Sequence, residues 1–360
     1  MTNAQLSITP LGAGDLIDRA VRFYRQNFWT FVWIAAPPIL IGTLLSIGWQ
    51  MLGRGLFSPG ANQFENGFYY FFLSIGNLLI WIVESVAVMT VMGGASRNFV
   101  RHLLFGEPIT FRETYKNVRK RVFGLIAAST IIVLLLGFIG TMIFYFGMLL
   151  GVVVIMIVAL ALSFSPFLTV VVSIILGFAT LFLTGWLFFL IASRFAYVPQ
   201  VMLVEGQGVF GAIGRSTGLA SGNVKRFAAL FIFTWVAIYS ALLLFYIPLN
   251  LYAWFEGISF FADPDLIPAW YQIANQVISQ ASFILLMPIW MIGLCLLYID
   301  ERVRHEGYDI ELMAARSLGE IPAVPRKYVN PLQPALALQG LPDPMRKPPK
   351  RDSRTPLGLN

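Results

Sequence analysis

Apolar residues are gathered into runs near positions 29–52, 71–95, 122–193, 227–254 and 276–299. Crossing about 30 Å of hydrocarbon takes roughly 20 helical residues, so four of these runs read as single membrane spans. The third is longer. Val122 to Ser193 contains no charged residue, and at about 1.5 Å per residue it would stretch roughly 108 Å as one helix. It must hold at least two spans.

Parity decides how many. With two spans there, segments 1–28, 96–121, 194–226 and 300–360 share one side and hold every one of the 25 Lys and Arg residues except Arg54. The positive-inside rule assigns that side to the cytoplasm. Three spans would carry Arg194, Arg215, Lys225, Arg226 and the basic tail outward, against that rule. The expected fold is therefore all-α, a polytopic membrane bundle of about six transmembrane helices in three hairpins, with both ends cytoplasmic. A turn is expected near Ser163-Phe-Ser165-Pro166, and Gly137, Gly140, Gly147 and Gly151 mark where the helix before it bends or packs closely. A re-entrant hairpin inside the run is the alternative.

The opposite connections carry Glu65, Glu256, Asp263 and Asp265 together with Tyr69, Tyr70, Trp254, Trp270 and Tyr271. Such rings suit the headgroup level as ordinary anchors. Pro37, Pro38, Pro248 and Pro288 fall inside spans, where each removes a backbone donor and should bend its helix.

Short amphipathic segments precede the first, third and fifth spans. In Asp15 to Phe28 the residues Ile17, Ala20, Val21, Tyr24 and Phe28 share one helical face, and Asp18, Arg19, Arg22 and Arg25 the other. Phe111 to Arg121 and Val209 to Arg226 are comparable, at a spacing of roughly one hundred residues. The span exits repeat as well: Ala95-Ser96-Arg97 and Ala192-Ser193-Arg194, followed by Glu107 and Glu205, each beside a glycine. The expected organisation is a bundle over 1–318 built of units 9–105, 106–205 and 206–312. A basic, Pro-rich tail over 319–360, expected to be disordered, completes the chain.

Composition narrows the function classes. With 58% hydrophobic and 12% charged residues and a mean hydropathy of +0.74, a single soluble domain is excluded. The net charge of +7 clusters between the apolar runs; topology accounts for it, and with no folded reading element nucleic acid is not an expected partner. Cys295, the one cysteine, lies inside an apolar run and supplies neither a disulfide framework nor a thiolate metal site. No cleaved leader is expected at the amino terminus.

Three segments carry a family resemblance. Gly14-Asp-Leu-Ile-Asp-Arg-Ala-Val-Arg-Phe-Tyr-Arg-Gln-Asn-Phe-Trp29, Val204-Glu-Gly-Gln-Gly-Val-Phe-Gly-Ala-Ile-Gly-Arg-Ser216 and Leu297-Tyr-Ile-Asp-Glu-Arg-Val-Arg-His-Glu-Gly-Tyr-Asp-Ile-Glu-Leu312 resemble the membrane domain attached to some bacterial glycerophosphodiester phosphodiesterases. The resemblance covers about 10–315. It implies a six-helix bundle in a bacterial inner (plasma) membrane with no established chemistry of its own. The family's catalytic barrel, with its paired histidines and metal-binding carboxylates, has no counterpart here, so no catalytic residue carries over.

Glu84 is the one acid deep inside a span. An ionisable group there costs roughly 2.5–3.5 kcal/mol on insertion scales and must face the bundle. Ser74, Asn77 and Trp81 share its face and Ser85 is adjacent, but Val88 ends the stripe. A neutral carboxyl hydrogen-bonded across helices is the structural reading, a proton or cation relay the functional one; no second deep acid or base extends a relay. His102 and His305 each follow an arginine outside the membrane with no further ligands, no G-x-S-x-G turn is present, and Gly206-Gln-Gly208 is too short for a phosphate loop. No catalytic, cofactor or metal residue is assigned.

The expected partners are membrane lipids with anionic headgroups, contacted by Arg19, Arg22, Arg25, Lys116, Arg119, Lys120, Arg121, Lys225 and Arg226; no protein partner is specified. The expected function is a non-enzymatic integral membrane protein, a scaffold or an organiser of membrane lipid. A transporter or channel using Glu84 is the alternative, and a membrane-embedded lipid enzyme the third.

Overall fold

A computed structural model describes residues 12–57, 63–105, 107–258 and 268–307. The tail over 319–360, Asp263 and Asp265 lie outside these described residues. The helices are α1 (Ala13–Gln26), α2 (Phe28–Leu56), α3 (Gln63–Phe105), α4 (Phe111–Lys120), α5 (Val122–Ala161), α6 (Pro166–Phe195), α7 (Val198–Val204), α8 (Val209–Leu219), α9 (Val224–Phe255) and α10 (Ala269–Glu306). Among the described residues, six stretches are long and apolar enough to cross a bilayer: α2, α3, α5, α6 with α7, α9 and α10. The uncharged run is two spans. α5 runs unbroken to Ala161, and α6 starts with Pro166 in its first turn, where a missing N–H costs nothing. No re-entrant segment interrupts either helix.

The marked glycines of α5 divide by use. A Cβ at Gly140 would meet the Phe188 ring, at Gly147 the Thr184 side chain and at Gly151 that of Thr180, whereas Gly137 faces open space. Three of the four thus let α6 approach closely, as small residues do between membrane helices. The prolines Pro37, Pro38, Pro248 and Pro288 sit inside α2, α9 and α10, which continue through them.

One short helix precedes each pair of long ones, and each docks in the same relation. α4 packs on α3, the exit of the first hairpin, and α8 packs on α7 and α6, the exit of the second. α1 packs on α10, the exit of the third, so the two ends of the described chain meet. Leu16, Ala20 and Tyr24 of α1 are buried, and the Tyr24 hydroxyl donates to the Leu285 carbonyl. The inner face of α1 is therefore occupied by protein contacts.

α4 docks through polar groups instead. Thr110 caps it by accepting the Glu113 N–H at 3.3 Å. Asn98 of α3 donates to Thr114 Oγ1 at 2.8 Å and accepts from Asn117 at 2.7 Å. Gly94 of α3 makes the approach possible: a Cβ there would lie 2.7 Å from the Thr114 carbonyl oxygen.

The core lies at this arm end. Met291 through Arg302 of α10 is continuously buried, surrounded by α1, α2, α3, α8 and α9. At the opposite end apolar side chains such as Phe146, Phe164 and Phe182 are exposed, as suits contact with lipid. Replacing Gly94 by Val is expected to displace α4 and destabilise the protein by about 1–3 kcal/mol, the cost of overpacking. Thermal unfolding in detergent, with thiol labelling of a cysteine placed at buried Asn117, checks this; unchanged stability and protection would refute it.

Candidate functional site

The intramembrane polar group found in the sequence is only partly assembled. Glu84 points between helices, filling space that a side chain at Gly42 of α2 would occupy, and its carboxyl faces Gln280 of α10. Ser74 and Asn77 are exposed on the surface of α3, and Ser85 is half-buried. Helical spacing had grouped them, but α2 covers only part of that face. Glu84 thus joins α2, α3 and α10, and no file of polar groups leads away through Asn77 and Ser74.

The arm cations separate into two kinds. Arg22, Arg25, Lys116, Arg119, Lys120 and Lys225 are exposed. Arg22 bonds Asp18 on the same helix at 2.7 Å and Lys116 lies 3.5 Å from Glu113, pairs too solvated to add much stability. Arg19 is half-buried. Arg121 stands in the break between α4 and α5, where its Nη1 donates to the carbonyls of Met202 and Gly206 at 3.2 and 2.7 Å. Arg226 departs from the expected headgroup contact. It belongs to the first turn of α9, α8 having ended at Leu219, and it turns inward onto Asp300 and Glu301. Both carboxylates are buried, and the low local dielectric strengthens the Coulomb attraction between them and the guanidinium.

Those carboxylates belong to a hub that the charge pattern alone did not reveal. Glu205, after α7, is 2% exposed; it bonds Arg215 of α8 at 2.9 Å and Tyr298 of α10 at 2.8 Å, and lies 3.7 Å from Arg302. Arg302, 1% exposed, also reaches Glu306 at 3.1 Å, and Glu306 pairs with Arg215. On the adjoining face Asp300 accepts from Arg304 at 2.7 Å beside its pair with Arg226. The Arg215 guanidinium is held above its ordinary pKa: burial opposes its charge, but Glu205 and Glu306 more than offset that. Gly206 and Gly307, at φ 76° and 63°, end the two segments in a conformation that favours glycine.

A signal for the hub was present. Asp300 with Arg304 and Arg302 with Glu306 are each four residues apart with opposite charge, and His305 stands four residues after Glu301. What sequence could not supply was Glu205, Arg215 and Arg226 arriving from elsewhere. Ser216 extends the contact, accepting the Tyr197 N–H at 3.2 Å and donating to the Arg194 carbonyl at 2.7 Å.

The two histidines are apart. His102 Nδ1 lies 2.7 Å from the Glu107 carbonyl oxygen and His305 Nε2 3.5 Å from Glu301. Among the described residues no three His, Cys, Asp or Glu side chains gather as a metal-binding group. No family model matches the chain, and no curated protein or solved structure matches it either.

Breaking a buried ion pair by removing one partner strands the other charge. Glu205→Gln and Arg302→Gln are each expected to cost about 3–5 kcal/mol, against less than about 1 kcal/mol for the exposed Arg22→Gln. Equilibrium unfolding in mild detergent measures both, and equal losses at the two places would contradict a stabilising hub.

Proposed function

We propose that this chain is a non-enzymatic membrane protein that organises lipid. Its arm end lies against anionic headgroups on the cytoplasmic face of a bacterial plasma membrane. The observation that carries this reading is the disposition of the arms. α1, α4 and α8 dock their inner faces into the protein at one end of six apolar spans, and α1 and α4 turn a cationic face outward there. Arms already docked cannot also bury their apolar faces in the bilayer, so their contact with lipid is electrostatic, worth about 1 kcal/mol per basic residue near an anionic surface. The excess of basic residues at this end supports a cytoplasmic orientation under the positive-inside rule. The resemblance of the three quoted segments to a membrane domain without known chemistry accords with a role that needs no reaction.

Neutralising Arg22, Arg25, Lys116, Arg119, Lys120 and Lys225 to Gln is expected to leave the fold intact. It should remove most of the enrichment of anionic over zwitterionic lipid that co-purifies with the wild type. Lipid extracted from the purified proteins and quantified by mass spectrometry reads this out; an unchanged lipid profile would end the proposal.

Orientation is checked with single cysteines at exposed Ser163 and Ser221 in a Cys295→Ala background. An impermeant thiol reagent applied to intact cells should modify position 163 and spare position 221. The reverse pattern would invert the topology.

A further inference from the structure

The half of α10 farthest from the arms is amphipathic although it belongs to a membrane span. With 3.6 residues per turn, Gln272, Asn275, Gln276, Ser279 and Gln280 fall within roughly 140° of the helix circumference. Ile273, Ala274, Val277, Ile278 and Ala281 lie on the opposite side. Trp270 and Tyr271 suit the headgroup level at the start of the helix. From Gln272 to Gln280 the polar face then descends about 12 Å at 1.5 Å per residue.

The two faces meet different surroundings. Val277, on the apolar side, is 48% exposed, as suits contact with lipid. On the polar side Gln280 faces Glu84 of α3, whose carboxyl occupies the space left by Gly42 of α2. Ser279 faces Tyr246 of α9, and one end of the stripe is fixed where the Tyr271 hydroxyl donates to Asn250 of α9 at 2.7 Å. The stripe is thus directed between α2, α3 and α9, all of which pack on α10. It is not sealed there: Gln272, Gln276, Ser279, Gln280 and Glu84 are half-buried and Asn275 is exposed.

Amides and hydroxyls held in hydrocarbon cost free energy unless water or another polar group meets them. Polar residues within spans accordingly face the bundle interior or a water-filled cavity. We infer that this face of α10 lines an aqueous cleft, open at the end of the bundle away from the arms and closed at Glu84, whose carboxylate draws small cations into it. The amide oxygens of Gln272, Asn275 and Gln276 are hard, neutral donors that suit a cation in transit, and the one negative charge at the floor sets the sign of what enters. The cleft lies away from the headgroup contacts of the arm end, and neither depends on the other.

The test uses the full-length protein in sealed membranes, with single cysteines in a Cys295→Ala background. Membrane-impermeant methanethiosulfonates, one bearing trimethylammonium and one sulfonate, are applied from the side on which Ser163→Cys reacts. Gln272→Cys, Gln276→Cys and Gln280→Cys should be modified, whereas Val277→Cys and Ala281→Cys should not. The ratio of cationic to anionic rates at position 280, divided by that at position 163, should be about ten. Glu84→Gln, or Glu84→Ser if that variant does not fold, should abolish this preference while leaving access intact. If Gln280→Cys does not fold, position 276 gives both readings. The inference is overturned if positions 276 and 280 stay unmodified, if position 277 reacts as fast as position 276, or if the preference for the cation is absent or survives loss of Glu84.

Discussion

A charge withdrawn from water has to meet an opposite charge, and much of this structure follows from that requirement. Arg302 and Glu205 are almost sealed, and they face each other at the end of α10. Their desolvation is offset by Arg215, Glu306 and Tyr298 around them, and Arg226 serves Asp300 and Glu301 alongside. The exit of α10 can therefore run through the protein interior, where α8 and α9 are fastened to it by ion pairs. Without matched charges it would have to lie at the surface, and the arm end would lose its centre.

Around that centre the arms repeat one arrangement with different chemistry. α1 is held by apolar burial and a tyrosine hydroxyl, α4 by a ladder of Asn and Thr, and α8 by Ser216 and the Glu205 pair. Each rests on the exit of a hairpin, and α1 closes the series by taking the last one. Hydrocarbon offers little drive for helices to associate, so the opposite end relies on close approach, with Gly147 and Gly151 admitting Thr184 and Thr180. Tight packing and polar pairing are concentrated where water and headgroups are near. The outer half is left for lipid to cover.

That division bears on function. The docked arms present exposed basic residues while their inner faces are held by protein. Glu84 lies against Gly42 of α2 and faces Gln280 of α10, so one intramembrane carboxyl touches three of the spans. The charge-balanced hub gives the arm end its anchor, with Arg215, Arg226, Arg302 and Arg304 matched by Glu205, Asp300, Glu301 and Glu306.

Hydrophobic length, the absence of charge from Val122 to Ser193 and the placing of Lys and Arg determined by themselves that the chain is six apolar helices in hairpins. They did so because hydrocarbon tolerates uncharged helix and little else. The turn at Ser163 to Pro166 was legible for the same reason, as were three of the four close-packing glycines in α5. Only the tertiary structure decided which charges are shared. Arg226 and Lys225 are neighbours of the same type, yet one turns inward to Asp300 and Glu301 while the other stays in solvent. Helical spacing ranks residues within one segment, whereas Glu205, Arg215 and Arg302 come from three segments and meet only when the hairpins pack.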